Sequence, residues 1–253
     1  MNLAEAASTG LVHVTVDVSR LGAHGLDESL EISGTIAIEG ITEIHKVDES
    51  IVVASTRNNR LLALDVMRSF TLIATAVLEE QSIKFLKPIG NCSGNFFLVG
   101  SLESVAVVQF VTEVDDTEMC KFQVLCTLPT QFPICDAACH RYGNFQVLLS
   151  YPHQGCTLWQ IDLEGNRKCL GEIETTLPDV KRIFPLADDS RVFITFGPNG
   201  LALIDGFSPD DAGLLHVEEY PITTLSTSVT AFVEDERKCL LATSSASLVV
   251  VNK

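Results

Sequence analysis

The residues best suited to hold a metal ion form two close groups in the middle of the chain. Cys135-x3-Cys139-His140 is followed by His153-x2-Cys156. Zinc takes four nitrogen or sulfur ligands in a tetrahedron, often from two such groups. If the first group lies on a strand, however, its two thiols are ~13 Å apart, too far for one ion to bind both. We therefore interpret these cysteines as buried thiols and expect no metal and no cofactor.

Residues that could catalyse reactions are present, but they form no recognisable motif. The sequence contains no Gly-x-Ser-x-Gly, no His-Glu-x-x-His and no glycine-rich phosphate loop. Its six histidines are scattered, and none lies beside a matching serine or cysteine motif. We predict that the protein has no catalytic residues and is not an enzyme.

Composition narrows the classes of partner. Of the 253 residues, 17 are basic and 33 are acidic, so the formal charge is −16. This balance argues against direct nucleic-acid binding, which needs clustered Lys and Arg. The sequence has no apolar run long enough to cross a bilayer and no secretory signal, so we expect no membrane insertion. With eight cysteines in a long apolar chain, we expect reduced thiols and a cytoplasmic or nuclear location.

A short β-rich run ending in a polar residue recurs along the chain, with gaps of 43 to 53 residues between the terminal polar residues. Strand repeats at this spacing are typical of β-propeller blades. The copies are Leu11–Asp17, Leu61–Asp65, Val105–Gln109, Leu158–Asp162, Leu201–Asp205 and Leu248–Asn252.

Three further series of strands flank this one. Apolar runs such as Val147–Ser150 precede the polar-ended strands after a tight turn, and they are typical of strands buried on both faces. A first series precedes these runs at Ile41–His45, Ile83–Leu86, Ile134–Ala138, Val180–Phe184 and Val229–Val233. A fourth follows the polar-ended strands at Leu30–Ile36, Phe70–Ala76, Phe122–Leu128, Lys168–Ile173 and Leu214–Tyr220. Each unit is therefore a predicted four-stranded meander, with strands a, b, c and d in chain order.

These units resemble the WD-repeat β-propellers, in which the third strand ends in Trp-Asp. The aspartate is present at Asp17, Asp65, Asp162 and Asp205, whereas Trp159 stands three residues before Asp162 and no Gly-His pair occurs. The resemblance implies an all-β propeller of four-stranded antiparallel blades that fills residues 1–253 as a single domain. A β-sandwich or barrel is the alternative fold.

The predicted strands number 21, which is one more than five closed blades need. Either Leu30–Ile36 completes the C-terminal blade and Leu11–Val18 pairs elsewhere, or the propeller is open or part of a longer one. In the second case a partner chain supplies the missing strands, because an unpaired strand edge favours association.

Two groups of loop residues are candidates for contacts with partners. The first forms an acidic face at the a–b and c–d turns, suited to a basic partner, although acids also favour turns for local reasons. It includes Asp48, Glu49, Asp115, Asp116, Asp188, Asp189, Asp210, Asp211, Glu234, Asp235 and Glu236. The second lies near the b–c hairpins at the opposite end and carries the arginine and aromatic side chains that often anchor interfaces. It consists of Arg57, Arg60, Tyr151, His153 and Phe196.

Together these features predict a non-catalytic scaffold or adaptor that mediates protein–protein interactions in an intracellular assembly. One alternative is a metal-dependent hydrolase or lactonase-type propeller, which would need carboxylates such as Asp65, Asp162 and Asp205 as ligands. Their position after the third strand favours turn capping instead. A weaker alternative is a reader of basic peptide tails that binds through the acidic face.

Overall fold

The computed structural model describes much of the chain beyond residue 37. The described ranges are 38, 40–78, 82–89, 94–112, 120–130, 132–152, 155–173, 180, 182–185, 192–197, 200–205, 217–221, 229–235, 238–243 and 248–252. Within them no helix is long and apolar enough to cross a membrane.

The described residues form five β-sheets, each a meander of strands in chain order. The first sheet contains β1 (Ile41–Lys46), β2 (Ile51–Thr56), β3 (Arg60–Asp65) and β4 (Thr71–Val77), and the second contains β5 (Phe85–Pro88), β6 (Phe96–Gly100), β7 (Ser104–Thr112) and β8 (Cys120–Pro129). The third contains β9 (Asp136–Tyr142), β10 (Asn144–Tyr151), β11 (Gly155–Ile161) and β12 (Arg167–Ile173). The fourth contains β13 (Arg182–Pro185), β14 (Val192–Gly197), β15 (Gly200–Asp205) and β16 (Val217–Pro221), and the last contains β17 (Val229–Asp235), β18 (Lys238–Thr243) and β19 (Leu248–Asn252).

This arrangement confirms the predicted all-β fold of four-stranded antiparallel blades. Four sheets have four strands, and the described part of the last sheet has three. Residues 84–111 and 123–253 form one compact unit, and residues 1–83 and 112–122 form another. The prediction of a single domain over residues 1–253 stays a prediction. The predicted strands Leu11–Val18 and Leu30–Ile36 lie outside the described residues.

The third sheet shows why its second strand is an uninterrupted apolar run. Phe145, Val147 and Leu149 of β10 belong to one buried cluster, whereas Leu148 between them belongs to a second. Because neighbouring side chains of a strand point to opposite faces, β10 is buried on both faces. This arrangement confirms that prediction for β10, and the apolar sequence follows from the absence of an exposed face.

Small residues let neighbouring strands approach closely in these sheets. Gly100 ends β6 opposite Phe85 of β5, and a Cβ atom at this glycine would overlap the Phe85 ring. Gly165, in the turn after β11, has a φ of +85° and packs against the carbonyl oxygen of Leu125 in β8. Its lack of a side chain therefore permits both the turn and the contact between two sheets of the same unit.

Two of the aspartates that end third strands, Asp65 and Asp162, cap the turns that follow them. Asp65 accepts a hydrogen bond from the Arg68 N–H at 3.1 Å. Asp162 accepts hydrogen bonds from the Asn166 N–H at 2.7 Å and from its side-chain amide at 2.8 Å. The bond from the Asn166 side chain is the main reason that the pKa of the Asp162 carboxyl is lowered. Both contacts confirm the interpretation of these aspartates as turn caps.

Candidate interaction surface

An exposed apolar patch lies at the b–c hairpin of the second sheet and the segment that follows β8. The patch consists of Leu102, Phe132 and Pro133, all exposed, with Tyr151 packed beside Phe132, and we call it the Phe132 patch. Two backbone hydrogen bonds join its parts, from Ile134 N to Leu102 O at 3.0 Å and from Thr130 N to Glu103 O at 2.9 Å. These bonds hold Leu102 and Phe132 in fixed positions although 30 residues separate them in the sequence.

A polar and aromatic cluster supports the Phe132 ring. The ring is 43% exposed and meets the ring of Tyr151, which is only 8% exposed, edge to face at a centroid distance of 6.4 Å. The Tyr151 hydroxyl lies 2.9 Å from Thr157 Oγ1, which also accepts a hydrogen bond from Trp159 Nε1 at 3.1 Å. Because Tyr151 is held at both ends, Phe132 rests on an ordered base.

Burial favours the neutral form of the Tyr151 hydroxyl, and charged residues of both signs border the patch. Burial raises the pKa of Tyr151, and the charges near it, including that of Glu172, act in the same direction. The exposed Glu103 adjoins Leu102, and Lys84 Nζ donates to Ile134 O at 3.4 Å. The patch therefore combines exposed apolar side chains with charges at its rim, an arrangement typical of protein interfaces.

A largely buried ion pair joins the first strands of the second, third and fourth sheets. Lys87 of β5 lies 2.6 Å from Asp136 Oδ1 of β9, and it also donates to Ala137 O at 2.8 Å and to Ile183 O of β13 at 3.4 Å. Asp136 Oδ2 accepts the Ile183 N–H at 2.9 Å. Lys87 Nζ also lies 5.8 Å from the centroid of the Phe184 ring.

The chemistry of this ion pair is structural. The three protons of the Lys87 ammonium have three oxygen acceptors, and both oxygens of the Asp136 carboxylate accept hydrogen bonds. A buried charge is tolerated when it is paired and hydrogen-bonded in this way. The pair therefore holds β5, β9 and β13 together.

The b–c candidates predicted from sequence are found in different places. Arg57 and Arg60 are exposed in the β2–β3 hairpin of the unit that contains residues 1–83. Tyr151 supports the Phe132 patch from a largely buried position. His153 lies outside the described residues, and Phe196 is described only as a β14 residue opposite Arg182. A contact role for these residues stays a prediction.

The acidic candidates are described only in part. Asp48 caps the β1–β2 turn through hydrogen bonds from Ser50 N at 2.7 Å and Ile51 N at 2.8 Å, and Glu49 beside it is exposed. Glu234 and Asp235 belong to the end of β17 and not to a turn, because Asp235 still pairs with Lys238. The other candidates lie outside the described residues: Asp115, Asp116, Asp188, Asp189, Asp210, Asp211 and Glu236. The acidic face stays a prediction.

The cysteine and histidine groups that suggested a metal are divided between two sides of the third sheet. Cys139 belongs to one buried cluster and Cys156 to the other, and His153 lies outside the described residues. Within the described part of the chain, no three His, Cys, Asp or Glu side chains are grouped as metal ligands would be.

Sequence reasoning missed Leu102 and Phe132. Both are apolar residues inside turn sequences, Ser101-Leu102-Glu103 and Phe132-Pro133. An apolar side chain at a turn is a weak signal, because singly exposed apolar residues are common. Only the hydrogen bonds between the two segments show that these residues share a patch.

Comparison with known proteins identifies the fold. No protein-family model and no curated protein matches the sequence. The crystal structure of the WD40 domain of SCAP from fission yeast is similar, with a TM-score of 0.56 and 10% identity over 84% of this chain and 49% of that chain. This chain therefore spans about half the length of the chain it matches.

In total, 816 chains of solved structures match this one, and so widespread a fold does not by itself select a function. The TM-score and the four-stranded meanders agree with the prediction from the repeat. The chain therefore has the fold of the WD-repeat-like β-propellers.

Proposed function

We propose that this protein is a non-catalytic adaptor that binds another protein through the Phe132 patch, within a multiprotein assembly of the cytoplasm or nucleus. The observation that carries the proposal is that the exposed apolar side chains of Leu102 and Phe132 lie on two segments that backbone hydrogen bonds join. The six cysteines that the structure describes as free thiols support a reducing compartment.

The geometry of the patch favours tight binding for two reasons. An aromatic side chain that is already held in place loses little conformational entropy when a partner covers it. Phe132 is exposed but seated on Tyr151, so it is suited to fill a pocket of the partner. Glu103 and Glu172 at the border would favour a basic segment around that pocket.

We further propose that the last sheet gains a fourth strand. Its described strands end with β19, whose backbone can pair with another strand. The donor is either a partner chain or residues 30–36 of this chain, where apolar and polar residues alternate. A photo-crosslinker placed at Val250 and mapped by mass spectrometry distinguishes the two, because the product is then either intermolecular or intramolecular.

The adaptor role is tested by comparing Phe132→Asp with Leu163→Asp. Leu163 is also exposed and apolar, but it lies in the turn after β11, away from the Phe132 patch. Each tagged full-length chain is purified from cells by affinity, and the bound proteins are quantified by mass spectrometry. We expect proteins bound by the wild type to fall at least ~10-fold with Phe132→Asp, as for loss of a hot spot, and to be retained with Leu163→Asp.

Circular dichroism and thermal melting verify that both variants are folded. Leu102→Asp provides an independent second test of the same surface. If folded Phe132→Asp and Leu102→Asp retain every partner of the wild type, the Phe132 patch is not the binding surface and the proposal is wrong.

A further inference from the structure

Arg141, near the end of β9, lies over two aromatic rings where the second and third sheets meet. Its guanidinium carbon is 4.6 Å from the centroid of the Phe96 ring and 5.4 Å from that of the Phe145 ring. Phe96 and Phe145 belong to one core cluster and are 5% and 0% exposed. Attraction between a cation and aromatic rings at these distances holds the guanidinium in place.

The N–H groups of this guanidinium remain available to a ligand. An arginine that stacks on a ring uses the flat face of its guanidinium and keeps its N–H groups for acceptors in the plane. Arg141 forms no hydrogen bond or ion pair with another residue in the part of the chain that the structure describes. Because Arg141 is half-buried, part of its hydration is lost, and an acceptor from outside would replace it.

A second arginine on the same sheet shows the contrast. Residues directly opposite one another run across the third sheet from Arg141 through Phe145 and Ile161 to Arg167. Arg167 donates a hydrogen bond to Thr127 O of β8, so its guanidinium already joins two sheets. Of these two arginines, only Arg141 has donors that are not used within the described residues.

The hairpin that carries Arg141 is open to solvent and lies far from the Phe132 patch. It turns at Gly143, which is exposed, and a Cβ atom there would meet no atom within 4 Å. Phe145, opposite Arg141, and Tyr151, beside the patch, are six positions apart on β10, about 20 Å at ~3.4 Å per residue. The two surfaces are therefore separate.

We propose that Arg141 binds a single carboxylate, which an Asp or Glu side chain of a partner protein supplies. A carboxylate matches the planar guanidinium, because its two oxygens accept two parallel N–H bonds. The two rings add affinity, because they fix the guanidinium before the partner arrives.

Net charge determines which kind of segment carries this carboxylate. The formal charge of −16 repels a segment that is acidic as a whole, a phosphate dianion and a second copy of this chain. A segment that is neutral or basic as a whole does not meet this repulsion. The partner segment therefore has one acidic residue for Arg141, and its other residues are neutral or basic.

Titration with acetate tests the site without the partner. NMR spectra of the arginine Nε–H groups of the full-length protein, assigned by triple resonance, report on each arginine separately. Arg57 and Arg60 are exposed and serve as internal controls. We expect acetate to shift the Arg141 signal with a Kd at least ~10-fold lower than for either control, because the Arg141 donors are held in place. Acetamide, which has the same shape and no charge, should leave the signal unchanged.

The variant Arg141→Lys identifies the source of the carboxylate. It keeps the positive charge and provides an amine that a carbodiimide joins to a carboxylate in contact with it. The tagged full-length variant is isolated from cells, treated with carbodiimide and mapped by mass spectrometry. We expect crosslinks from position 141 to an Asp or Glu of another protein, within a neutral or basic segment. Arg167→Lys is the matched control and should give far fewer crosslinks to that protein, because Arg167 already donates within the chain.

Four results would overturn this inference. In the titrations, they are an acetate Kd at Arg141 no lower than at Arg57 and Arg60, and tighter binding of inorganic phosphate than of acetate. In the crosslinking, they are no crosslink at position 141, and crosslinks only to carboxylates of this chain. Mixing labelled and unlabelled protein shows whether the latter come from a second copy. If Arg141→Lys does not fold, the titration of the wild type still decides. None of these outcomes depends on the Phe132 patch.

Discussion

Removing the Lys87 cation is expected to destabilise the protein strongly, because it leaves a buried carboxylate without its counter-ion. The Asp136 side chain is 2% exposed and that of Lys87 is 20% exposed, with 2.6 Å between the charged atoms. In Lys87→Met, the Asp136 carboxylate keeps only the Ile183 N–H at 2.9 Å as a donor among the contacts described above.

The size of the stability loss follows from the burial of the Lys87–Asp136 pair. Breaking a buried ion pair by removing one partner costs ~3–5 kcal/mol. The partial exposure of Lys87 and the donor that remains on Asp136 place the expectation at about 3 kcal/mol. For a chain of this size each kcal/mol lowers Tm by roughly 2–4 °C, so the melting temperature should fall by about 6–12 °C.

The double variant Lys87→Met/Asp136→Asn gives the decisive comparison. An asparagine removes the unpaired charge, and its side-chain oxygen can still accept the Ile183 N–H. We therefore expect the double variant to lose only about 1 kcal/mol, less than the single variant, because replacing both charges avoids the cost of an uncompensated ion. The second substitution should thus restore stability that the first removed.

Urea denaturation followed by the fluorescence of Trp159 measures these differences, since it is the one tryptophan in the chain and lies in the third sheet with Asp136. Lys84→Met is the matched control, because Lys84 is an exposed lysine and its hydrogen bond to the Ile134 carbonyl oxygen is long, at 3.4 Å. The reasoning is refuted if the free energy of unfolding of Lys87→Met lies within about 0.5 kcal/mol of the wild-type value. It is also refuted if the double variant is less stable than Lys87→Met.

Three further predictions concern turns and thiols. Gly165→Ala should cost at least ~1 kcal/mol more than Gly143→Ala in urea denaturation, because both glycines have positive φ but only a Cβ at Gly165 meets a backbone oxygen; equal costs would contradict this. Burial raises the pKa of Asp48, but hydrogen bonds from Ser50 and Ile51 outweigh it and leave the pKa below its usual value of 3.8. The ionised Asp48 carboxylate therefore stabilises the fold above pH 3.8 and stops doing so as the pH falls through its lowered pKa in the folded protein. The loss of stability caused by Asp48→Ala should therefore shrink below about pH 4. A loss of stability that does not change with pH would contradict this prediction. Burial raises the pKa of the Cys156 thiol to about 12, so peptide mapping after iodoacetamide treatment of the folded protein should show alkylation of the exposed Cys169 and none of Cys156.

Much of the strand pattern could be predicted from the sequence, because it depends on short-range periodicity. The predicted Ile41–His45 and Lys168–Ile173 differ from β1 and β12 by one residue. The first strands of the second and fourth sheets begin two residues later than predicted, at Phe85 and Arg182. Apolar residues before these strands, such as Ile83 and Val180, are buried outside the ladder, and composition does not distinguish the two kinds of burial.

The sequence by itself determined the repeat, the doubly buried second strand of the third sheet and the role of the Asp65 and Asp162 carboxylates, since each depends on neighbours within a few residues. Only the tertiary structure decided which distant side chains meet. Lys87 and Asp136 are 49 positions apart in the sequence. Leu102 and Phe132 lie on turns that two backbone hydrogen bonds hold together. Contacts of this kind depend on how sheets pack, and no local pattern of residue types encodes that packing.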